Sequence, residues 1–387
     1  MRCVLGYVCQ FPFERFSTMV FSMLHEQWHL RGRTVRNRSV LAAMTNKQSH
    51  DDGTISDKEA RWLEMRAEGG FGIVTTCAAN VLPDGKAWDG ELGIYDDSHI
   101  PGLSGLTDRL HAAGALALCQ IFHGGYRCTS RLTGRQPVSA ADVSLDIPDF
   151  EPARAMTTRE VYECIEAFAE AARRCEAAGF DGVEIHGAHT YLITQFLSRE
   201  LNTRTDEFGG TLENRYRFLS QIVRRCRERT SDRFIVGVRL SPGVPLPHAG
   251  MSFDETREIL PWLEADGVDF VHLSLRDAAG RDVPKKGFPS GAEAISATRR
   301  VLSDSVRVIA CGGVVSKGQA DAVLAHGADA VAVARIAIGH AHWPRLIADG
   351  VEPAPPPYTR EHLAGEGLSP VFLDYMARWP GFMAEAG

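Results

Sequence analysis

Residues 186–192 read HGAHTYL. Two imidazoles, His186 and His189, and a phenol, Tyr191, follow directly on the apolar run AGFDGVEI. Packing does not need them at the end of a strand. Such groups can donate hydrogen bonds to a carbonyl or an oxyanion, deliver a proton, or bind a metal. The H-x-x-H pair lacks an evident third ligand, and no acidic cluster lies near it in sequence, so a metal is the weaker reading. A single histidine would be read as a satisfied core residue. Two with a tyrosine favour a hydrogen-bonding site whose phenol gives a proton.

Two other places carry chemistry. Arg239 stands inside the apolar run FIVGVRLSP. A buried guanidinium needs an anionic partner, either a strand-end acid or a ligand that develops negative charge. The stretch ACGGVVSKGQADAVLAHGADAVAVAR sets Gly312 and Gly313 after one apolar run and Ala334 and Arg335 after the next. Paired loops of that kind, with a guanidinium close by, suit a phosphate.

The elements that must position these groups are legible. Apolar runs span Ser39–Met44, Gly72–Ala79, Leu116–Phe122, Gly182–His186, Phe234–Leu240, Phe270–Leu275, Val308–Cys311 and Ala330–Val333. Nearly continuous runs suit strands buried on both faces. Amphipathic stretches lie between them, the clearest being TTREVYECIEAFAEAARRCEAAG. Ser56-x-x-Glu59, Thr157-x-x-Glu160, Ser252-x-x-Glu255 and Ser316-x-x-Gln319 fit the capping box. Eight strands alternating with helices predict an α/β fold, a single-domain (β/α)8 TIM barrel. An open doubly wound sheet is the alternative, weakened by the absence of a G-x-G-x-x-G fingerprint. WHLRGRTVRN predicts a hairpin closing the bottom of the barrel. The stretch 124–157 predicts a long loop over its mouth after the third strand.

Composition is that of an ordinary globular protein: 387 residues, 44% hydrophobic and 24% charged, with net charge −7. No basic run points to nucleic acid, and no stretch is long and apolar enough to span a membrane. Nine scattered cysteines without a C-x-x-C pair argue against a zinc ribbon or an iron–sulfur cluster and for reduced thiols in a cytoplasmic protein. Residues 1–24 read as a poorly ordered extension, and 25–387 as the barrel with a C-terminal tail. YMARWPGF within that tail reads as a plain tail, or as a surface for a second copy in a homo-oligomer.

From about residue 25 to 350 the chain resembles the Old Yellow Enzyme family of FMN-dependent ene-reductases. The motifs that carry the resemblance are NRSVLAAMT, GGFGIVTTCAANVLPDG, QIFHGG, VGVRLSP, the glycine-rich stretch above, and AGFDGVEIHGAHTYLITQFLSRELNTRTDEFGGTLENRYRF. The resemblance implies FMN in the barrel and NAD(P)H as electron donor. It implies that Ala42, Ala43, Met44, Thr45 and Ala78 line the flavin ring, with Thr45 bonding near O4. Gln120 would bond the pyrimidine edge, and Arg239 would lie near N1 and C2=O. Gly312, Gly313, Ala334 and Arg335 would hold the phosphate. His186 and His189 would grip the carbonyl oxygen of a small α,β-unsaturated carbonyl substrate, Tyr191 would protonate Cα, and Phe122 and Lys47 would line the substrate pocket. The family often has Pro where Ala43 stands, Gly where Ala334 stands and, in some members, Tyr where Lys47 stands. The alternatives are a flavin-binding protein of the same fold without turnover, a reductase of dienoyl or amine substrates, and a flavin-free barrel enzyme; no strand-end lysine supports the Schiff-base form of the last.

Overall fold

A run of residues that is apolar on both faces suits a wall strand with packing on each side. In the computed structural model all eight such runs enter one closed barrel. The structure describes residues 23–145, 150–242, 251–281 and 289–384. The leading stretch read as an extension lies outside these up to residue 22. The wall is β1 (Ser39–Leu41), β2 (Ile73–Asn80), β3 (Leu116–Phe122), β4 (Gly182–Gly187), β5 (Ile235–Leu240), β6 (Phe270–Ser274), β7 (Arg307–Cys311) and β8 (Ala330–Val333). Each strand pairs in parallel with the next, and β8 pairs with β1 to close the ring.

Seven helices follow the first seven strands in turn: α1 (Asp57–Glu68), α2 (Ile100–Ala112), α3 (Thr158–Ala177), α4 (Leu212–Arg229), α5 (Phe253–Asp266), α6 (Gly291–Val301) and α7 (Lys317–Ala325). Thr157, Ser252 and Ser316 form full capping boxes with Glu160, Glu255 and Gln319. Ser290 forms another with Glu293. The fourth predicted box is only half made. Ser56 caps α1, but Glu59 does not reach back to it. Its buried carboxyl instead accepts hydrogen bonds from Asn46 Nδ2 at 2.9 Å, from Cys77 Sγ at 2.8 Å and from Ser49 Oγ. Burial pushes its pKa up, so the inner face of α1 is tied to the segment that leaves β1.

The barrel interior has two layers of different chemistry. Val40, Ile73, Leu118, Ile235, Phe270 and Ile309 form an apolar lower layer, joined from below by Trp28, Leu30 and Val35. These last three belong to the hairpin Trp28–Leu30 and Arg33–Val35, so the predicted bottom closure is present. Arg31 and Arg33 fix it by pairing with Asp269 and Asp181, at the starts of β6 and β4. Above lies a polar layer set by register: Gln120 beside Glu184, and Arg239 between His186 and His272. Polar side chains in the upper layer belong to a site, since a structural barrel fills its interior with branched apolar residues.

Two segments cover the mouth. Within the loop after β3, Val138–Ser139 pairs with Arg154–Ala155. Arg204 of the RTDEFGG motif anchors it, donating to Ala140 O at 2.8 Å and Met156 O at 2.5 Å while pairing with Asp206. The second cover is the stretch read as a tail. After β8 come α8 (Arg335–Gly339), α9 (Trp343–Ala348), α10 (Arg360–Gly365) and α11 (Pro370–Met376). Phe372 of α11 is fully buried and meets Trp62 of α1 edge-on, ring centroids 5.4 Å apart; burying such a ring stabilises by about 1.5–3 kcal/mol. Within YMARWPGF, Met376 and Phe382 are buried while Trp379 stays exposed. Among the described residues no helix is long and apolar enough to cross a membrane, and the cysteines there are free and buried.

Candidate active site

Three cavities open at the C-terminal ends of the strands and share lining residues. One of 300 Å³ is lined by Cys311, Gly312, Gly313, Ala334, Arg335 and Pro356, among others. It shares Ala334, Arg335 and Pro356 with one of 270 Å³, which adds Met44, Thr45, Tyr375, Met376, Trp379 and Phe382. That one shares Met44 and Thr45 with a third of 140 Å³, lined by Ala43, Ala78, Trp88, Gln120, His186, His189, Tyr191 and Arg239. The result is an elongated channel with glycines and an arginine at one end and imidazoles and a phenol at the other.

The glycine end is shaped by backbone. A Cβ on Gly312 would sit 2.5 Å from Leu275 O, and Gly313 has φ +62°, a conformation that favours glycine. Arg335 opens α8, is exposed, and forms no ion pair among the described residues.

At the other end, the ring centroids of His186 and His189 are 5.0 Å apart, as are those of His186 and Tyr191. His189 and Thr190 have φ +57° and +63°, sparsely populated for residues with a side chain. Arg127 Nη1 holds that turn, donating to His189 O at 3.3 Å and Thr190 Oγ1 at 3.0 Å, with its guanidinium 5.1 Å from the Tyr191 ring. Sequence reasoning gave Arg127 no role.

Burial, then the charges of His189 and Arg239, hold His186 well below the usual imidazole range; burial and Arg239 do the same to His189. Both rings are therefore neutral near pH 7. His186 Nδ1 accepts from Ala188 N–H, which leaves Nε2 as its donor. Arg239 Nη2 donates to Ser274 Oγ at 3.3 Å, and Ser274 Oγ lies 2.8 Å from His189 Nε2. The hydroxyl, one donor with two lone pairs, thus ties the His189 ring to Arg239. Ser274→Ala should free the His189 ring from this bond and weaken binding of a phenol to the oxidised enzyme about tenfold, one hydrogen bond's worth. Ser274→Thr should restore it in the same titration.

The neutral pair also has a signature in stability. A depressed folded pKa means that the unfolded chain takes up protons first. The contribution is present above pH 6.5, the unfolded value, and is lost as pH falls below it. Melting temperature should drop between pH 6.5 and 5, and drop less in His186→Asn/His189→Asn.

Arg239 is buried and its Nε has no partner among the described residues. It does not pair with a strand-end acid there. Glu184 gives its carboxylate to Gln120 Nε2 and to His272 Nδ1, each at 2.6 Å. Burial opposes the charge on both, but each partner overcomes it: Glu184 lies below its usual range and His272 above. The guanidinium donates to Ala43 O at 3.2 Å and to Cys311 Sγ at 3.8 Å instead; the Glu184 carboxylate feels its charge but makes no direct ion pair with it among the described residues.

Four predicted residues stand elsewhere or differently. Ala42 packs in the barrel interior and bonds Val333 O through its N–H. Phe122 is fully buried and backs the lining residues, stacked on Trp88 at 5.2 Å and edge-on to Tyr191 at 5.1 Å. Lys47 is off the channel, its Nζ 5.4 Å from the Tyr375 ring centroid. Gln120 lines the channel, but one of its two amide N–H donors is engaged by Glu184, leaving the other and Oε1. Sequence reasoning missed Trp88, Glu184, His272 and the Tyr375–Phe382 segment.

The model of the NADH:flavin oxidoreductase / NADH oxidase family matches residues 26–353. The chain belongs to this family. It is 38% identical to a probable NADH-dependent flavin oxidoreductase of Bacillus subtilis, over 83% of this chain and 86% of that one. It is 36% identical to an NADH:fumarate oxidoreductase of Klebsiella pneumoniae over 83% of this chain, but spans only 35% of that protein. Among solved structures, an old yellow enzyme homologue from Zymomonas mobilis superposes with a TM-score of 0.79 at 25% identity, covering 91% of this chain and 99% of that one. The resemblance seen in the motifs is thus confirmed, and the protein is a flavin-dependent oxidoreductase that uses FMN and NAD(P)H.

FMN suits the residues present. The channel is long, a glycine cradle with Arg335 stands at one end, and Arg239, with an orphaned buried Nε, stands at the other.

Proposed function

We propose that the protein reduces the carbon–carbon double bond of small α,β-unsaturated carbonyl compounds. The observation that carries this is the convergence of two neutral imidazole donors and one phenol on the end of the channel where Arg239 lies. Met44, Thr45, Ala43, Ala78, Gln120 and Arg239 would hold the flavin ring, and Gly312, Gly313, Ala334 and Arg335 its phosphate. When bound, FMN supplies a two-electron carrier between NAD(P)H and the alkene.

The chain's own residues supply the rest. His186 Nε2–H and a ring N–H of His189 donate to the substrate carbonyl oxygen and favour negative charge developing there. Tyr191, pushed up to about 12 by burial, keeps its proton at neutral pH and delivers it to Cα as hydride arrives at Cβ. Trp88 and the Tyr375–Phe382 segment wall the site against water. Lys47 reaches the site through the Tyr375 ring, and Phe122 backs it through Trp88, His186 and Tyr191.

The test is an anaerobic absorbance titration. The yellow protein should bleach with NADPH and regain its colour on addition of 2-cyclohexenone. Bleaching that no enone reverses, but that oxygen does, would leave an NADH oxidase and overturn the proposal.

A further inference from the structure

We propose that His340, His362 and Glu366 form a binding site for one divalent transition-metal ion of the zinc class, outside the channel and independent of the flavin reading. His340 follows α8, His362 lies in α10, and Glu366 caps the C-terminus of α10. One ligand atom from each lies within 4.8 Å of the others. No hydrogen bond or ion pair joins any two of these side chains among the described residues.

The outer bonds define which atoms are free. His340 Nε2 lies 2.8 Å from Ala354 O, and His362 Nε2 lies 2.7 Å from Gly339 O. A carbonyl only accepts, so both Nε2 atoms carry hydrogen, and Nδ1 is the atom of each ring that could bind a metal. A backbone carbonyl on the far nitrogen is the arrangement that orients metal-binding histidines. Glu366 accepts Ala341 N–H on Oε2 at 2.6 Å, leaving Oε1. Arg66, the nearby cation, donates to the backbone oxygen of Glu366 rather than to its carboxylate. Tyr358 stacks on His362 at 5.3 Å and meets His340 edge-on at 5.5 Å, fixing both rings. Two imidazoles and one carboxylate suit zinc, with a water in the fourth position; calcium and magnesium prefer oxygen ligands throughout. An ion there would staple α10 to the end of α8, the helix that starts with Arg335 at the channel rim.

Holoenzyme freed of metal by chelator and gel filtration is titrated with Zn(II) by calorimetry. One equivalent should bind. His340→Ala and His362→Ala should each weaken it by about 100-fold or more, at least what loss of an outer partner costs. Glu366→Gln keeps an oxygen for Ala341 N–H, so it tests the ligand without disturbing the cap, and should also weaken binding. Zn(II) should raise the melting temperature of the parent and not of His362→Ala. Absence of stoichiometric binding overturns the site. So does affinity unchanged in His362→Ala but lost in His186→Ala, which would place the ion at the channel histidines.

Discussion

In Tyr191→Phe, reduction of 2-cyclohexenone should fall by about 10²–10⁴-fold, the range for loss of a general acid, while bleaching by NADPH keeps its rate. The substitution removes one oxygen and leaves the packing intact: the ring still meets Phe122 at 5.1 Å and His186 at 5.0 Å, under the Arg127 guanidinium. Stopped-flow absorbance separates the two halves of the cycle. Unchanged enone turnover would remove Tyr191 from the mechanism. Because burial holds the phenol near 12, its deprotonation should not limit the parent rate anywhere near neutral pH.

The second large effect is expected in His186→Ala. Removing one donor aimed at a developing oxyanion costs about 10²–10³-fold in kcat. Phenols, which offer an oxygen to the same donors, should bind the oxidised variant more weakly, read from the flavin spectrum. His186→Asn, still a neutral donor, should recover part of both losses. A phenol titration identical to the parent's would count against the carbonyl-grip role. The two variants differ in a useful way: Tyr191→Phe should spare phenol binding, and His186→Ala should not.

The wall of the barrel was legible because burial on both faces leaves continuous apolar runs, and seven of the eight matched to within a residue or two. The exception is instructive. The run Ser39–Met44 stays apolar beyond Leu41, where β1 ends, because Ala42 still packs in the barrel interior and Ala43 and Met44 line the channel, whose wall there is also apolar. Arg239 was found as a charge inside an apolar strand. The same signal marks Glu184 in DGVEI and His272 in FVHLS, and reading them equally would have found the buried pair beneath the channel. Trp88 and Tyr375 carried no such mark. One sits in a loop and the other far beyond the last strand, and only chain closure brings them to residues 42–45. Glu59 shows the opposite failure: a correct local pattern was overridden by three buried partners.

The cover made by α11 and the segment to Phe382 has a consequence for synthesis. A nascent chain completes its eighth strand at Val333, well before residues 370–382 exist. At about 5–20 residues per second the channel stays unroofed for several seconds. During that interval cofactor can enter from above; afterwards Phe372 has docked on Trp62 and the segment to Phe382 lines and narrows the same route. Loading thus has a natural order, barrel first, flavin next, roof last. Slow translation through the final helices would widen the window, and scarcity of flavin at that moment would roof an empty channel.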